Sequence, residues 1–405
     1  MIHMQLSFEM LKKVTYLTGS ADIASTLMET SARIPFDDSV VDFLSDVSKI
    51  LMNNREAKTF PDIVTFAFWI RKASIMKLKE RFYDEKGIYL GKGVAFHIAP
   101  SNVPVNFAYS LVSGLLTGNA NVVRVPTKDF PQVGIITSAF NHALVNHPDM
   151  KPYVICVRYD RNKEINDIFS SVADIRVIWG GDQTIAELRK SPLPPRAGEI
   201  TFADRFSLAI IDSDAYLCLD NKEKVAEDFY NDTFLTDQNA CTSPRVVIWT
   251  GNNIDEAKKV FWKEEHRLVE KKYAFQSIQG VNKLTKSHLI AVAEPGVKVE
   301  EHTDNLIVRV TVPRITETLM DYRDNSGYFY EYDCKDIMDL IPLCNDKRCQ
   351  TIGYIGNHNM ILPLIKSGIK GIDRVVPIGK TMDFDLIWDG YNLPSLLTRT
   401  VVIAR

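Results

Sequence analysis

Residues 91–118 read Gly-Lys-Gly-Val-Ala-Phe-His-Ile-Ala-Pro-Ser-Asn-Val-Pro-Val-Asn-Phe-Ala-Tyr-Ser-Leu-Val-Ser-Gly-Leu-Leu-Thr-Gly. The apolar run at residues 93–98 ends just before Pro100, which predicts a short buried strand. The mainly apolar residues 104–117 predict a helix that ends at Gly118, a residue typical of helix C-caps. Strand, polar turn and helix in this order form one repeat unit of an α/β fold.

The same alternation continues along the chain. Further strands are predicted at residues 121–125, 153–159 and 174–179. Further helices are predicted at residues 131–146, 165–172 and 182–190. Strands that alternate with helices favour a doubly wound parallel sheet. His97 lies inside the first apolar run, so it is interpreted as a core residue or a neighbour of the site and not as a catalytic base.

A second α/β pattern follows a proline-rich break at residues 191–195, which is interpreted as a domain boundary. The elements predicted beyond it are strands at 207–212, 245–250, 375–379 and 400–404 and a helix at 222–234. The residues before this α/β region read mainly as helix, with helices predicted at 39–52 and 61–79. We therefore predict a first domain over residues 1–205, a second over residues 206–380, and a segment 381–405 that returns to the first domain or to an oligomer interface.

Composition excludes several classes of function. The chain has 405 residues, 48 Lys and Arg against 51 Asp and Glu, and a net charge of −3, so no basic excess predicts a nucleic-acid groove. No apolar run is long enough to span a membrane, and the N-terminus lacks a secretory signal pattern, which predicts a cytoplasmic protein. The six cysteines form no C-x-x-C pair, and Cys344, Cys349 and His358 are too widely spaced for a metal site, so no metal is expected.

Two loops that follow predicted strands are candidates for binding a cofactor. The first contains Ile98, Ala99, Pro100, Ser101 and Asn102, and backbone amides at the start of its helix can face an anion. The second loop contains the candidates Gly180, Gly181 and Thr184. The two glycines have no side chains, so a phosphate can approach the backbone there. Neither loop matches G-x-G-x-x-G, and for the second loop taken by itself a simple tight turn is the favoured interpretation.

A third group of candidates, Arg124, Thr127 and Lys128, follows the second strand of the first pattern. In a doubly wound cofactor domain this strand end lies near the adenosine ribose. An acidic residue there selects NAD by contacting the 2′-hydroxyl, whereas two cations and no acid favour the 2′-phosphate of NADP(H). The alternative is a pair of solvated surface cations.

Cys241 differs from the other cysteines in its surroundings. It lies in the polar segment Thr-Asp-Gln-Asn-Ala-Cys-Thr-Ser-Pro-Arg at residues 236–245, whereas Cys156 and Cys218 lie in apolar runs typical of inert packing. A cysteine in a polar loop near a cation such as Arg245 can form the thiolate, which is the nucleophile. The alternative is a structural thiol in a turn.

These segments together resemble the aldehyde dehydrogenase superfamily. The resemblance rests on Pro-Ser-Asn-Val-Pro at 100–104, Gly-Asn at 118–119, Gly-Gly at 180–181 and Gln-Asn-Ala-Cys at 238–241. It is closest to the acyl-CoA reductase branch, the luxC-type family, through residues 91–133, 233–249, 349–352 and 374–393. It implies an α/β fold of two doubly wound parallel-sheet domains with a helical N-terminal segment and a small oligomerisation element. The first domain, with the N-terminal helices, is expected to bind NADP, and the second is expected to be the catalytic domain that carries the nucleophilic cysteine.

The resemblance also implies a function. Cys241 attacks a long-chain acyl-CoA or acyl-protein thioester, the Asn102 amide and the Cys241 backbone N–H stabilise the oxyanion, and NADPH reduces the acyl-enzyme to the aldehyde. The implied partners are coenzyme A as part of the substrate or an acylated protein like an acyl-protein synthetase. The superfamily further implies a homodimer or homotetramer, with residues 87–91 and 394–404 as candidate interface strands.

One difference between this chain and the aldehyde-oxidising members of the superfamily favours acyl reduction over aldehyde oxidation. Aldehyde-oxidising members carry an E-L-G-G-K-type segment whose Glu activates water, whereas this chain reads Glu-Ile-Thr-Phe-Ala-Asp at residues 199–204. The absence of that motif favours retention of the acyl-enzyme for hydride transfer. Glu199 is kept as a candidate for proton transfer, NAD(P)-dependent aldehyde oxidation as the alternative enzyme function, and a non-catalytic binding scaffold as the alternative class.

Overall fold

The computed structural model describes residues 9–84, 87–300 and 304–403. Contacts between residues divide the chain into two units. The first contains Met1–Ala203 and Asp385–Arg405, and the second contains Asp204–Phe384. That these units serve cofactor binding and catalysis, respectively, stays a prediction. The strand predicted at residues 400–404 ends at Ala404, which lies outside the described residues.

The N-terminal part of the first unit is mainly helical. It contains strand β1 (Thr15–Thr18) and helices α1 (Ala21–Ser25), α2 (Asp38–Asn53), α3 (Pro61–Trp69) and α4 (Lys72–Phe82). The single helix predicted at 61–79 is wrong, because Arg71 adopts an extended backbone with ψ 145° between α3 and α4. The break lets the two helices bury separate apolar faces, Ile63 and Phe66 on α3 and Ile75 and Leu78 on α4.

A six-stranded sheet forms the centre of the first unit. Its further strands are β3 (Val94–Ile98), β4 (Ala120–Arg124), β5 (Val154–Arg158), β6 (Ile175–Trp179) and β7 (Gly198–Phe202), while β2 (Ile88–Gly91) lies outside it. The connecting helices are α5 (Asn106–Leu116), α6 (Pro131–Asn146), α7 (Lys163–Ser171) and α8 (Asp182–Leu188). The order is β1-β5-β4-β3-β6-β7, with all neighbours parallel except β1 and β5. This confirms the predicted alternation.

The proline-rich segment 191–195 lies inside the first unit and is not its boundary. Strand β7 follows this segment and pairs in parallel with β6, so the sheet continues past the prolines. The reason is that Ser191 is buried and its carbonyl accepts a hydrogen bond from Arg176 on β6, which ties the segment to the sheet. A proline-rich loop is therefore compatible with a connection inside one sheet.

His97 on β3 belongs to a buried polar network, as the sequence interpretation of a core residue expects. Its Nδ1 lies 2.8 Å from Ser110 Oγ and its Nε2 lies 3.0 Å from Asn121 Oδ1. Asn121 Nδ2 donates to two backbone carbonyls, so Oδ1 is the acceptor and His97 carries its proton on Nε2. A Cβ at Gly114 would lie 1.8 Å from Asn121 Oδ1, so only glycine leaves room for this network.

The second unit contains a seven-stranded sheet. Its strands are β8 (Phe206–Asp212), β9 (Pro244–Thr250), β10 (Lys298–Val299), β11 (Val308–Thr311), β12 (Tyr328–Asp333), β13 (Cys349–Ile355) and β14 (Arg374–Pro377). Its helices are α9 (Ser213–Cys218), α10 (Lys222–Asp232), α11 (Ile254–Lys272), α12 (Ser277–Ala293), α13 (Ile341–Cys344) and α14 (Leu362–Lys366). The order is β10-β11-β12-β9-β8-β13-β14, and only the edge pair β10 and β11 is antiparallel.

The C-terminal segment of the chain returns to the first unit. It contains β15 (Ile387–Trp388), β16 (Tyr391–Asn392), α15 (Leu393–Leu397) and β17 (Thr398–Val401). Strand β17 pairs antiparallel with β2, which brings together the two segments predicted as candidate interface strands. Within the described residues, no helix has the length and apolar content to cross a bilayer, and no group of three His, Cys, Asp or Glu side chains is placed to hold a metal ion.

Candidate active site

The carboxyl edge of the first sheet has a topological switch point. The chain passes from β3 to β4 and β5 on one side and then crosses back to β6 and β7 on the other. In open α/β sheets, ligands bind in the crevice outside the carboxyl ends of strands at such a point. The two loops predicted from sequence follow β3 and β6, so the fold places them next to each other at this crevice.

The loop after β3 is anchored at both ends and exposed at its tip. The Ala99 amide donates to the Arg124 carbonyl at 3.0 Å, and the Asn106 amide donates to the Val103 carbonyl at 3.3 Å where α5 begins. Val105 is buried, whereas Ser101 and Asn102 are exposed. The turn between strand and helix that the sequence predicts is thus present, and Asn102 is exposed at the surface of the first unit.

The loop after β6 leaves open space beside its backbone. The Gly180 amide donates to the Phe202 carbonyl at 3.0 Å, and Gly181 precedes α8. A Cβ at Gly181 would have no atom within 4 Å, whereas one at Gly180 would lie 3.1 Å from Thr184. The backbone at Gly181 can therefore be approached closely by a ligand, which fits a phosphate-bearing cofactor. Asp182, in the first turn of α8, carries a charge that opposes an anion at this position.

The three candidates after β4 differ in their surroundings. The Arg124 guanidinium lies 4.6 Å from the centre of the Tyr159 ring, and its Nη2 donates to the Tyr159 carbonyl at 3.3 Å. Thr127 and Lys128 are exposed, and the Lys128 ammonium lies 4.9 Å from the Phe130 ring. Arg124 is thus held against the protein, and Lys128 is the cation with freedom to reach a ligand.

Glu199 on β7 is held by two arginines. Its Oε2 accepts from Arg176 Nε and Nη2 at 2.9 and 2.5 Å, and its Oε1 accepts from Arg189 Nε at 2.8 Å. Arg176 is buried, so the ion pair compensates its charge. Both carboxylate oxygens are engaged, which gives Glu199 a structural role and gives no support to the predicted proton transfer.

Cys241 lies in a tight turn at the amino end of β9 in the second unit and is half-buried. Asp237 and Gln238, which precede it, both adopt left-handed backbone conformations with φ of 52° and 54°. Residues with a side chain avoid this region, so each costs roughly 1–3 kcal/mol and persists only where other contacts enforce it. Consecutive strained residues of this kind are concentrated at functional sites.

The Gln238 side chain enforces this turn. It is fully buried, its Nε2 donates to the carbonyls of Pro244 and Tyr328, and its Oε1 accepts from the amides of Gly327 and Tyr328. All four distances lie between 2.7 and 3.3 Å. One amide side chain thereby substitutes for a missing strand partner between β9 and the start of β12.

Arg245 on β9 reinforces the same turn. Its Nη2 donates to the Gln238 carbonyl at 2.6 Å, and its Nη1 donates to the Asp324 carbonyl at 2.8 Å and to Asn325 Oδ1. Burial lowers the pKa of Arg245 to about 10, the nearby Arg323 adds to this effect, and Cys241 opposes it. The opposing influence of Cys241 means that Arg245 and a thiolate at Cys241 stabilise each other.

The backbone at Cys241 is fixed from the opposite side. Ser207 Oγ on β8 donates to the Cys241 carbonyl at 2.8 Å and accepts from the Thr351 amide at 3.2 Å. Thr242 Oγ1 lies 3.1 Å from Met382 Sδ. Three strands of the second sheet, β8, β9 and β13, therefore position the residue that sequence reasoning selected as the nucleophile.

Sequence reasoning missed the loop at residues 324–327, although it lies against this turn. Asn325 Nδ2 donates to Asn239 Oδ1 at 2.8 Å, and the Ser326 amide donates to the Asp237 carbonyl at 3.0 Å. The positive φ of Ser326 and Gly327 shapes the loop, and the only sequence signal is the Asn-Ser-Gly run itself. Asn239 and Asn325 are 86 residues apart in the chain, so no local sequence pattern can show their contact.

The remaining cysteines differ from Cys241 in position. Cys156, Cys334, Cys344 and Cys349 are buried, and burial raises the pKa of Cys156 to about 12. Cys218 is exposed at the end of α9, so its expected role in core packing is wrong. The short helix α9 turns this residue outward, whereas the sequence interpretation placed it in an apolar strand-like run.

Comparisons with known proteins converge on one family. The family model described as "Acyl-CoA reductase (LuxC)" matches residues 71–399. The long-chain acyl-protein thioester reductase of Aliivibrio fischeri is 24% identical over 294 residues, which cover 71% of this chain and 58% of that protein. The chain thus spans somewhat over half the length of the curated relatives it matches.

Solved structures show the fold. An NAD-dependent benzaldehyde dehydrogenase from Corynebacterium glutamicum superposes with a TM-score of 0.65 at 16% identity, covering 98% of this chain and 88% of that one. Aldehyde dehydrogenase 21 from Physcomitrella patens superposes with a TM-score of 0.67 at 12% identity, covering 94% and 88%. The predicted aldehyde-dehydrogenase-like α/β fold with parallel-sheet domains is confirmed.

Proposed function

Because the chain belongs to the acyl-CoA reductase (LuxC) family, we propose that it reduces a long-chain acyl thioester to the fatty aldehyde with NADPH. The thiol carrier of the acyl group is coenzyme A or an acylated partner protein. The family description supports the first carrier, and the printed name of the Aliivibrio fischeri relative supports the second. The observation that carries the proposal is the enforced turn that presents Cys241 beside the buried cation Arg245.

In the first step, the Cys241 sulfur forms a bond to the thioester carbonyl carbon. The carbonyl electrons move to oxygen, and their return breaks the bond to the carrier, which leaves as a thiolate. Arg245 favours the thiolate form of Cys241 that this attack requires. Ser207 and Gln238 keep the turn in one conformation, so the sulfur is positioned before the substrate arrives.

The carbonyl oxygen gains negative charge in this step. We assign its stabilisation to the Cys241 backbone N–H, and the Asn102 side-chain amide, which the family resemblance implies as the second donor, stays a prediction. Removal of one such donor typically costs about 3–4 kcal/mol in the transition state. Asn102 is exposed at the tip of the loop after β3, which is compatible with contact to a substrate.

The cofactor is assigned to the switch point of the first sheet. Ile98, Ala99, Pro100 and Ser101 line one side of the crevice; the other side is lined by the residues after β6, which are Gly180, Gly181 and Thr184. The open backbone at Gly181 fits a diphosphate, and the exposed Lys128 fits the 2′-phosphate of NADPH. When bound, this cofactor supplies the hydride that converts the acyl-enzyme to the aldehyde and restores the Cys241 thiolate.

Aldehyde release must compete with hydrolysis of the acyl-enzyme. The carboxylate that the sequence suggests for proton transfer, Glu199, is held by Arg176 and Arg189. Both of its carboxylate oxygens accept hydrogen bonds from guanidinium groups, so the side chain is held as a structural partner of these arginines. This supports reduction of the acyl group over oxidation of an aldehyde to the acid.

The test is an acylation and turnover experiment with long-chain acyl-CoA. We expect the wild-type protein to gain the mass of one acyl group without cofactor and to release aldehyde when NADPH is added. Cys241→Ser should abolish both results. Cys218→Ser is the matched control because that thiol is exposed at the end of α9, and it should leave both unchanged.

Two outcomes would refute the proposal. One is acylation or aldehyde formation at an undiminished rate in the Cys241→Ser protein. The other is formation of the free acid from an aldehyde as the main reaction, since that result would identify an aldehyde dehydrogenase. A ladder of acyl chain lengths, offered on coenzyme A and on an acyl carrier protein, identifies the preferred donor.

A further inference from the structure

Asp232, the last residue of α10, carries a buried carboxylate, and only 1% of the residue is exposed. Its Oδ2 accepts from the Gly379 amide at 2.6 Å, and its Oδ1 accepts from the Thr381 amide at 3.2 Å. A buried charge costs free energy unless hydrogen bonds compensate it. Both compensating bonds come from residues 379–382, which follow β14 and are called the tied segment below, so the carboxylate joins this segment to the end of α10.

A cation holds the tied segment as well. The Arg374 guanidinium donates to the carbonyls of Thr381 and Lys380 at 3.1 and 3.4 Å, whereas Asp232 accepts from the amides. Gly379 has a φ of 89°, and a Cβ there would lie 2.7 Å from a side-chain carbon of α10, so only glycine lets the backbone approach this closely. An anion on its amides and a cation on its carbonyls therefore give the tied segment one defined position.

The tied segment contacts the turn that carries Cys241. Its last residue, Met382, is half-buried, and the Met382 Sδ lies 3.1 Å from the Oγ1 of the buried residue Thr242, which follows Cys241 in the chain. The chain itself joins Asp232 to the same turn, because the carbonyl of the next residue, Thr233, accepts from an amide of the turn at 2.9 Å. A change at Asp232 can therefore reach the nucleophile through two short connections.

We propose that Asp232 is a positioning residue for the nucleophile, because its carboxylate holds the tied segment against Thr242 and so limits the movement of Cys241. A sulfur that is held in a reactive geometry before the substrate binds reacts faster. The effect of Asp232 on acyl transfer rests on the proposed function, whereas its effect on the thiol can be measured by alkylation without any acyl substrate. Each oxygen must accept from one amide, so the tied segment requires the ionised carboxylate.

The charge of Asp232 depends on pH. Burial raises its pKa to about 7, and the amides that it accepts from lower it. Among the charged groups of the neighbouring elements, Asp383 raises this pKa further, Lys380 pairs with Asp383, and Asp228 pairs with a lysine of its own helix. Arg374 donates to backbone carbonyls. Below its pKa the side chain carries a proton on one oxygen, and that oxygen no longer accepts well from its amide.

The test is the rate at which iodoacetamide alkylates Cys241, followed by mass spectrometry of the peptide that contains it. At about pH 8, Asp232→Asn should be alkylated roughly tenfold more slowly than the wild type, because a hydrogen bond to a charged acceptor is lost. At about pH 6 the two rates should converge, since the wild-type side chain is then protonated as well. Asp228→Asn is the matched control, because its carboxylate pairs with Lys224, and it should be alkylated at the wild-type rate.

A double variant tests whether the effect passes through the tied segment. Met382→Ala removes the contact with Thr242, so it should slow alkylation on its own, and Asp232→Asn/Met382→Ala should be no slower than the slower single variant. Circular dichroism checks that each variant is folded. If Asp232→Asn does not fold, Met382→Ala decides the question, and a wild-type rate for it overturns the proposal.

Three other results would overturn this role of Asp232. They are a wild-type alkylation rate for Asp232→Asn at the higher pH, a rate ratio that is equal at both pH values, and single-variant effects that multiply in the double variant. The ionisation of Cys241 itself cancels in the ratio, so a purely structural loss gives the second result. Failure of the wild-type protein to form aldehyde from acyl-CoA would refute the proposed function and leave the alkylation results unaffected.

Discussion

In the first unit, Asn102 and Lys128 lie on exposed loops that are anchored mainly through backbone hydrogen bonds. In the second unit, the turn that carries Cys241 is enclosed by side chains, with Gln238 and Arg245 each making three or more hydrogen bonds to it or to its neighbours. The difference matches the two tasks that we propose. A cofactor edge must admit and release a ligand, whereas a nucleophile gains rate from being positioned in advance.

The largest expected effect is at Gln238. Gln238→Ala leaves four buried backbone groups without their partner, so we expect a loss of about 3–5 kcal/mol in the free energy of unfolding. Because the left-handed backbone at Asp237 and Gln238 then relaxes, aldehyde formation should fall at least a hundredfold. Chemical unfolding and the rate of Cys241 alkylation by iodoacetamide measure the two effects.

Gln238→Glu is the matched comparison for this prediction. Its carboxylate still accepts from the amides of Gly327 and Tyr328 but can no longer donate to the carbonyls of Pro244 and Tyr328. Because its second oxygen then faces those two carbonyl oxygens in a buried position, its loss of stability should be at least as large as that of Gln238→Ala. The two retained amide contacts should keep its alkylation rate closer to that of the wild type. An alanine variant that is alkylated at the wild-type rate would show that the turn does not depend on this side chain.

The second effect depends on pH and belongs to the first unit. Burial lowers the pKa of His97 to about 4, from about 6.5 in an unfolded chain. Between these two pH values His97 is protonated in the unfolded chain but not in the folded unit. The free energy of unfolding therefore falls as the pH decreases from 6.5 to 4. The full loss is on the order of 3 kcal/mol. Urea unfolding between pH 7 and about pH 4.5 measures it.

The second unit contributes an opposite trend. Burial raises the pKa of Asp232 to about 7, although the Gly379 and Thr381 amides that it accepts from lower it. Its folded form binds the proton more tightly than the unfolded chain, so its contribution to stability grows as pH falls from 7 to 3.8. Mild acid should thus weaken the first unit relative to the second, and His97→Gln should remove the part of that difference that comes from the first unit. Equal acid sensitivity of the two units would contradict this.

The third effect is at Arg245. Lysine keeps the charge but cannot contact Gln238, Asp324 and Asn325 at once, so we expect Arg245→Lys to cost about 2 kcal/mol in the transition state. This corresponds to a roughly thirtyfold lower kcat with little change in KM. The pH profile of Cys241 alkylation separates loss of position from loss of charge. Arg323→Lys is the control, because Arg323 pairs with Asp204 and donates nothing to the turn.

The sequence predicts β3 to β6 of the first sheet and β8, β9 and β14 of the second, and it selects Cys241 as a candidate, because these depend on local patterns, namely apolar runs and a polar loop between helix and strand. It does not predict β7 or the strands β10 to β13. It does not predict what holds the turn, since Gln238, Arg245 and the loop at 324–327 meet only in three dimensions. The break between α3 and α4 is hidden for a similar reason: the helical apolar pattern continues through Arg71, and only packing reveals two faces. The sequence also does not predict that apolar residues of α12 such as Ile278, Val281 and Val292 are exposed, because an apolar pattern does not say which side of a helix is buried.

The smallest expected effect distinguishes two cations that sequence reasoning treats as equivalent. Lys128→Ala removes an exposed charge that we assign to the 2′-phosphate, so it should raise KM for NADPH several-fold and leave KM for NADH unchanged. Arg124→Ala removes a guanidinium that stacks on Tyr159, so it should lower stability by about 1 kcal/mol and affect both cofactors equally. Steady-state kinetics with both cofactors, together with thermal unfolding, make the comparison. If Lys128→Ala changed neither KM, or changed both by the same factor, Lys128 would not contact the 2′-phosphate of NADPH. A preference for NADPH over NADH would then have to come from another residue.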